Sequence, residues 1–263
     1  MRVTILMKQV PDTDEVKMDP ESGAMIRDGA GVIVNPLDLN ALEAAMAIRS
    51  DGDSVSVVSM GPQRAEESLR ECLALGADDA VLATDRMFAG GDSWATAKVL
   101  VAVIEKMGRP DLIITGEKAT DGETGQVGPE VAALLGIPVA TRVTRLERVS
   151  GGIEFDCTLE DGILTQRSSL PILVTVQSDI NALPLPTLGG KKRAYTEEIK
   201  IETASSLGLG QGETGLGASP TRVVKIETPK VTRDAEKFMA SRPDELESAV
   251  ERIMQILSDN AIL

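Results

Sequence analysis

The chain has 263 residues, of which 42% are hydrophobic, and this length accommodates one large domain or one domain with an extension. Its formal net charge of −14 and its five aromatic residues (one Trp, one Tyr and three Phe) argue against binding to nucleic acid or to an anionic membrane surface. The absence of histidine excludes the usual imidazole metal ligand and every Ser–His or Cys–His catalytic arrangement, so we expect no metal site, no catalytic side chain and, for any catalysis, a cofactor.

The first predicted element is the apolar run at residues 3–7, which is too short to be the hydrophobic core of a signal peptide. No later run reaches the roughly 20 residues that a membrane-spanning helix needs. Cys72 and Cys157 are isolated in sequence and form neither a CxxC pair nor a zinc knuckle, so we expect two buried thiols in a reducing compartment. These features predict a cytoplasmic protein without membrane insertion.

Short apolar runs alternate with helical patterns along the first two thirds of the chain. The runs carry Val, Ile or Leu at consecutive positions, as expected for strands that are buried on both faces. This alternation predicts βαβ units and an α/β fold with a mainly parallel sheet. Strands are predicted at residues 3–7, 55–60, 80–83, 111–115 and 172–176, and helices at residues 39–49, 64–75, 94–107 and 124–135.

The pattern changes after Pro138. Three short alternating segments, at residues 142–148, 153–159 and 163–168, predict a small antiparallel excursion. From residue 181 onward, Pro and Gly predict an exposed, irregular stretch at which the compact domain ends. The pieces that follow, including a helix over about 243–258, are too sparse for a second core. We therefore predict an α/β domain over residues 1–193 and an extended C-terminal arm over residues 194–263 that packs against another molecule.

Two glycine-containing loops are expected at the carboxyl edge of the sheet, where ligands bind in parallel α/β folds. In the first loop (residues 116–129), the glycines permit close approach of the backbone, Thr124 is placed to cap the following helix, and free amides at the helix start suit a phosphate. A capped turn without a ligand explains this loop equally well. The second loop (residues 85–96) repeats the design, with Asp92 or Ser93 as the helix cap. Two such loops on one edge predict a long ligand.

Three further segments carry weaker signals. Residues 34–38 are interpreted as an Asn-Pro turn with an Asp cap, and residues 60–62 end a strand at the same edge. Residues 210–215 satisfy G-x-G-x-x-G, but no helical pattern follows them, so they are interpreted as a flexible loop and not as a dinucleotide fingerprint. The chain has no GxxxxGK[ST] motif, which disfavours a P-loop phosphotransferase.

Several of these segments occur in the order found in the β subunit of an electron-transferring flavoprotein, and the chain resembles that family from its first strand to about residue 194. The resemblance implies a three-layer α/β sandwich of the adenine-nucleotide-binding type. It also implies a partner α subunit that carries FAD and receives the C-terminal arm, and electron exchange with acyl-CoA dehydrogenases. The segments that carry the resemblance are residues 34–38, 60–62, 116–129, 177–181 and 186–188.

The family has two functional branches. Ordinary members hold a structural AMP in the β subunit, whereas electron-bifurcating members hold a second FAD there, which takes hydride from NADH and serves ferredoxin or flavodoxin as well as the α subunit. Residues 88–96 are similar to the FAG-x-D-[ST]-x-A-T loop of the bifurcating branch. Residues 121–128 are similar to its DGDTAQVG segment, with Glu123 and Gly125 at the two differing positions.

We therefore expect FAD, with NADH oxidation as a property of the heterodimer. The alternative is a non-bifurcating carrier subunit with AMP in the same site. A stand-alone ATP-binding domain of the stress-protein type is a third reading, which the long segment after residue 181 disfavours.

The resemblance also implies which residues bind the cofactor and a partner. Leu188 corresponds to a leucine that docks on the dehydrogenase, although it is otherwise an ordinary exposed leucine. Residues along the flavin would be Ala89, Gly91, Asp92 and Thr96. Residues around the adenosine and phosphate would be Leu6, Asn35, Asp38, Met60, Gly116, Ala119, Asp121, Gly122, Thr124, Gly125, Gln126 and Val127.

Overall fold

The computed structural model describes residues 1–12, 17–18, 25–26, 31–222, 224, 237 and 241–259. The chain divides into two compact units, Met1–Lys225 and Ile226–Leu263. The strands are β1 (Arg2–Leu6), β2 (Gln9–Pro11), β3 (Lys17–Met18), β4 (Met25–Ile26), β5 (Val32–Val34), β6 (Ser54–Met60), β7 (Asp79–Ala83), β8 (Leu112–Gly116), β9 (Val139–Val149), β10 (Gly152–Leu159), β11 (Gly162–Ser169), β12 (Ile172–Val176) and β13 (Ile199–Glu202). The helices are α1 (Pro36–Ile48), α2 (Glu66–Leu75), α3 (Ser93–Met107), α4 (Val127–Leu135), α5 (Leu188–Thr196), α6 (Gly215–Ala218) and α7 (Pro243–Asp259).

Nine of these strands form one sheet in the order β11-β10-β9-β12-β8-β1-β6-β7-β13. The run from β9 to β13 is parallel throughout, whereas β10 pairs antiparallel with both β9 and β11. The predicted α/β class, with a mainly parallel sheet and a small antiparallel excursion, is confirmed.

Helices cover both faces of the parallel part of the sheet. Consecutive residues of a central strand point to opposite faces, so Ile114 of β8 packs in one apolar cluster with Leu42 of α1, and Ile113 packs in the other with Val103 of α3. Helix α2 contributes to the first cluster and α4 to the second. The result is the expected three-layer sandwich.

The predicted irregular stretch after residue 181 contains a helix that the sequence pattern missed. Helix α5 begins after Thr187, whose Oγ1 accepts a hydrogen bond from Gly190 N (3.0 Å). Arg193 donates to the carbonyl oxygens of Leu73 (2.7 Å) and Ala77 (2.9 Å) at the end of α2. The prediction of irregular structure is therefore wrong over α5, because contacts with α2 stabilise a helix that its glycines disfavour locally.

The main sheet also continues beyond residue 193. Strand β13 pairs in parallel with β7, with Ile199 opposite Ala80. The division at residues 193 and 194 stays a prediction, but the first compact unit extends to Lys225.

Helix α7 is the described element of the second unit. It spans Pro243–Asp259, as the pattern over about 243–258 predicts. The carboxylate of Glu245 accepts hydrogen bonds from the backbone N–H groups of Ser241 (3.0 Å) and Arg242 (3.2 Å), which satisfies donors at the start of the helix. Among the residues that the structure describes, none of the helices has the length and apolar character needed to cross a membrane.

Candidate nucleotide-binding site

The carboxyl ends of the parallel strands bring the predicted loops to one edge of the sheet. Strand β1 lies between β8 and β6, and β7 lies beside β6. The first loop therefore leaves the sheet two strands from Met60 and three strands from the second loop. This arrangement confirms that both loops share an edge.

Asp38 ties together three elements at this edge. Its side chain is buried; Oδ2 accepts a hydrogen bond from Lys8 N (2.8 Å), just after β1, and Oδ1 accepts one from Gly116 N (2.9 Å), at the end of β8. The predicted Asp cap of α1 is wrong, since Asn35 is the N-cap residue and Pro36 begins the helix. Asp38 lies within the first turn, and its carboxylate holds neighbouring strands.

The side chain of Asn35 fixes the first loop through two hydrogen bonds to the loop backbone. This side chain is 1% exposed. Its Nδ2 donates to Lys118 O (3.0 Å), and its Oδ1 accepts from Thr120 N (3.3 Å). Lys8 adds an ion pair between its Nζ and Asp121 Oδ1 (2.7 Å). The loop is therefore fastened along its first half by side chains that follow β1 and precede α1.

The second half of the first loop has unusual backbone angles. Glu123 and Gly125 have φ values of 51° and 63°, in the left-handed region. A helix cannot run through such residues, so α4 begins at Val127, and the predicted cap at Thr124 is wrong. Within the described part of the chain, the backbone N–H groups of residues 124–127 have no acceptor. They are available to a negatively charged ligand.

Two aspartates of the second loop accept hydrogen bonds from the loop's own backbone and from the start of α3. Asp85 Oδ1 accepts from Met87 N (3.0 Å), and Phe88 is buried beneath the loop. Asp92 is the N-cap of α3, as predicted, because its Oδ1 accepts from Ala95 N (3.0 Å).

Ser93 joins the two loops. Its Oγ lies 3.0 Å from Gln126 Oε1, in the first loop, and 3.0 Å from Glu130 Oε1, in the first turn of α4. The starts of α3 and α4 are therefore adjacent, and the exposed residues Ala89 and Gly90 belong to the same edge as the free amides of the first loop.

Sequence reasoning did not assign Lys8, Ser93 or Glu130 to the site. Lys8 follows β1 directly at the predicted ligand edge, so its position along the chain could have identified it. Glu130 lies inside α4 and is brought to the second loop only by the packing of α3 on α4. Burial raises the pKa of its carboxyl group, and Oε2 has no hydrogen-bond partner among the described residues.

The structure places the predicted cofactor residues at different depths along this edge. Leu188 lies apart from them in the chain, at the start of α5, and is 88% exposed. Its accessibility is compatible with docking, which stays a prediction. Leu6, Asn35, Asp38 and Gly116 are buried; Met60, Gly91, Asp92, Thr96, Ala119, Asp121, Gly125 and Val127 are half-buried; and Ala89, Gly122, Thr124 and Gln126 are exposed.

The Asp38 carboxyl group should make stability depend on pH. Burial raises its pKa from 3.8 to about 7, against the lowering effect of hydrogen bonds from Lys8 N, Gly116 N and Asn35 and of the Lys8 charge. A raised folded-state pKa contributes stability that is complete below the unfolded-state pKa and is lost as the pH rises through the folded-state pKa. The free energy of unfolding should therefore fall by about 2 kcal/mol from pH 5 to pH 7.

Urea unfolding of the purified protein at several pH values between 5 and 8 checks this expectation. The Asp38→Asn variant, which cannot ionise at this position, should show a much flatter dependence over the same range. Equal slopes for the two proteins would show that Asp38 does not titrate with a raised pKa.

The chain is similar to known proteins over most of its length. Residues 22–206 match the electron transfer flavoprotein domain family. The chain is 44% identical over 255 residues to the electron transfer flavoprotein subunit β of Thermoanaerobacterium thermosaccharolyticum, with 96% of this chain and 98% of the relative covered. It is 41% identical over 248 residues to subunit CarD of the caffeyl-CoA reductase–Etf complex of Acetobacterium woodii (94% and 95% covered). It is 37% identical over 271 residues to the electron transfer flavoprotein subunit β of Megasphaera elsdenii, with both chains fully covered.

Proposed function

Since the chain belongs to the electron transfer flavoprotein family, as a β subunit, we propose that its site binds FAD within a heterodimer with an α subunit. Bound there, FAD would supply the acceptor for hydride from NADH and divide the electrons between ferredoxin or flavodoxin and the FAD of the α subunit. An acyl-CoA dehydrogenase would exchange electrons with that α subunit. NADH oxidation would belong to the heterodimer and not to this chain alone.

The observation that carries the proposal is the Ser93 bridge between the two loops. Its contacts with Gln126 and Glu130 place the second loop beside the start of α4. A mononucleotide needs one phosphate-binding loop, whereas two adjacent loops suit the longer diphosphate and flavin portions of a dinucleotide. The bridge therefore supports FAD over AMP.

The chain's own residues would bind and orient the cofactor. The free amides of residues 124–127 suit a phosphate group at the positive end of the α4 dipole. Asn35 and Asp38 have their oxygen atoms engaged by backbone N–H groups, so we expect them to act mainly by fixing the loops. Asp92 is likewise engaged within the protein through both carboxylate oxygens and its backbone N–H. The remaining residues assigned from the resemblance would line the cofactor directly.

The nature of the partners rests on the relatives. CarD is named as a subunit of a complex with caffeyl-CoA reductase. This supports an acyl-CoA dehydrogenase or a similar enzyme acting on a CoA thioester as the partner of our chain, with Leu188 as the proposed docking residue. The buried free thiols Cys72 and Cys157 support a reducing compartment, and we place the protein in the cytoplasm.

The second candidate function is that of a non-bifurcating carrier subunit with AMP in this site. One feature of the second loop favours it. The backbone N–H of Asp92 donates to Ser219 Oγ (2.9 Å), so this amide of the second loop is not available to a phosphate.

Cofactor content decides between the two functions. The chain should be produced with its α subunit, and FAD and AMP should be counted per heterodimer after the protein is denatured. We expect two FAD, no AMP, and bleaching of the flavin absorbance by NADH under anaerobic conditions. One FAD with one AMP, and no response to NADH, would refute the proposal and establish the carrier function.

A further inference from the structure

The glycine-rich segment near residue 210 is not a free loop. Residues 214–221, here called the clasp, lie against the second loop through several independent contacts. The interpretation of residues 210–215 as a flexible loop is therefore wrong for its last two residues. The rejection of a dinucleotide fingerprint holds, since only the four-residue helix α6 follows.

The first contact is a close approach of two backbones. Gly215 has a φ of 56°, and a Cβ at this position would lie 2.2 Å from Met87 O and 2.9 Å from Ala89 O. Only glycine fits so close to these carbonyl groups. The neighbouring Thr214, which is 4% exposed, donates from Oγ1 to Met87 O (3.1 Å).

The second contact involves the carboxylate and the backbone N–H of Asp92. Its Oδ2 accepts from Thr221 N (2.9 Å) and Thr221 Oγ1 (2.7 Å), while its backbone N–H donates to Ser219 Oγ (2.9 Å). The same residue caps α3 through Oδ1. Both carboxylate oxygens of Asp92 are thus engaged within the protein, which argues against a direct contact between this carboxylate and a ligand.

The second loop is consequently held from two sides. Ser93 connects it to Gln126 and Glu130 of the first loop and α4. Asp92 and Met87 connect it to the clasp. The clasp can reach this position because β13 pairs with β7, the strand from which the second loop departs.

We propose that the clasp is a positioning element that holds the second loop in its ligand-binding shape, with Asp92 and Thr221 as positioning residues. This inference rests on the proposed function, in which the second loop binds part of the nucleotide. By thermodynamic linkage, an ordered clasp strengthens nucleotide binding, and a bound nucleotide in turn stabilises the clasp.

Four variants in the heterodimer, one of them a control, test the proposal. Gly215→Ala forces a Cβ against two carbonyl groups, and Thr221→Val removes one of the two hydrogen bonds to Asp92 Oδ2 with little change of volume. The matched control is Ser205→Ala, an exposed residue outside the clasp whose side chain makes no hydrogen bond within the described residues. Thr221→Ser keeps the hydroxyl group and should behave like the wild type.

Amide hydrogen exchange, measured without added nucleotide, reads the shape of the second loop directly. Exchange of residues 85–92 should rise about three- to tenfold in Thr221→Val, the range for one lost hydrogen bond, and more in Gly215→Ala. Affinity for FAD and for AMP, measured after removal of bound nucleotide, should weaken by a similar factor. In the wild type, added nucleotide should slow exchange of residues 214–221. Ser205→Ala should match the wild type in every measurement.

Unchanged exchange of residues 85–92 in Thr221→Val would overturn the proposal, even if Gly215→Ala fails to fold. A loosened second loop with unchanged nucleotide affinity would overturn the coupling. These results can be told apart from a failure of the proposed function. A wild type that holds AMP in place of FAD would refute bifurcation. The exchange measurements and the AMP affinities would still test whether the clasp positions the second loop.

Discussion

The Gly116→Ala variant is expected to lose about 1–3 kcal/mol of unfolding free energy, or more, together with most of its nucleotide binding. A Cβ at this position would lie 2.6 Å from both Asp38 Oδ1 and Leu37 Cβ, and 2.8 Å from the carbonyl carbon of Leu37. These steric overlaps can be relieved only if the start of α1 moves away from β8 or if the hydrogen bond between Gly116 N and Asp38 breaks. Either change displaces the first loop, because that loop begins at Gly116.

Gly122→Ala is the matched control in the same loop. A Cβ at Gly122 meets no atom within 4 Å, and the residue does not have a positive φ. The free energy of unfolding of the Gly122→Ala variant should stay within about 0.5 kcal/mol of the wild-type value. Urea unfolding of both variants provides the comparison. Similar losses of stability in the two variants would mean that the close approach at Gly116 is unimportant.

The Asp38→Ala variant is expected to lose about 3 kcal/mol or more, since it leaves two backbone donors, the buried Gly116 N and the part-buried Lys8 N, without their acceptor. Asp38→Asn retains one oxygen acceptor but directs an NH₂ group at the other N–H, so its loss should be intermediate. Both effects follow from the desolvation of unpaired polar groups and not from the loss of apolar packing.

Asp121→Ala separates this effect from a general loss of charge at the same edge. Asp121 pairs with Lys8 Nζ, whose side chain is 48% exposed, and such pairs contribute at most about 1 kcal/mol. Chemical denaturation at pH 7 should rank the variants Asp38→Ala, Asp38→Asn and Asp121→Ala from least to most stable. An Asp38→Ala protein as stable as Asp121→Ala would show that the two amides find other acceptors.

Local sequence patterns predicted the sheet well because burial on both faces leaves a direct record in composition. The run at residues 111–115 and the strand Leu112–Gly116 differ by one residue at each end. Glycine marks helix ends for an equally local reason, and Gly136 ends α4 in the left-handed conformation, as its position before Pro138 suggests.

Other features depended on contacts that no local pattern records. Helix α4 starts at Val127 and not at residue 124, because Gly125, inside the predicted helix, takes a left-handed φ in the first loop. Asp38 looked like a helix cap, since its true partners, Lys8 N and Gly116 N, lie 30 and 78 residues away. Helix α5 was missed because its stability comes from the end of α2.

By itself, then, the sequence determined the α/β class, the order of five parallel strands and the four helices between them, and the glycine-containing composition of two loops that suits a phosphate. Hydrophobic periodicity and turn residues record these features because both act over a few positions. Only the tertiary structure decided which loops meet and what holds them. Asp92 and Thr221 are 129 residues apart, and they become neighbours because the order of strands in the sheet places β13 beside β7.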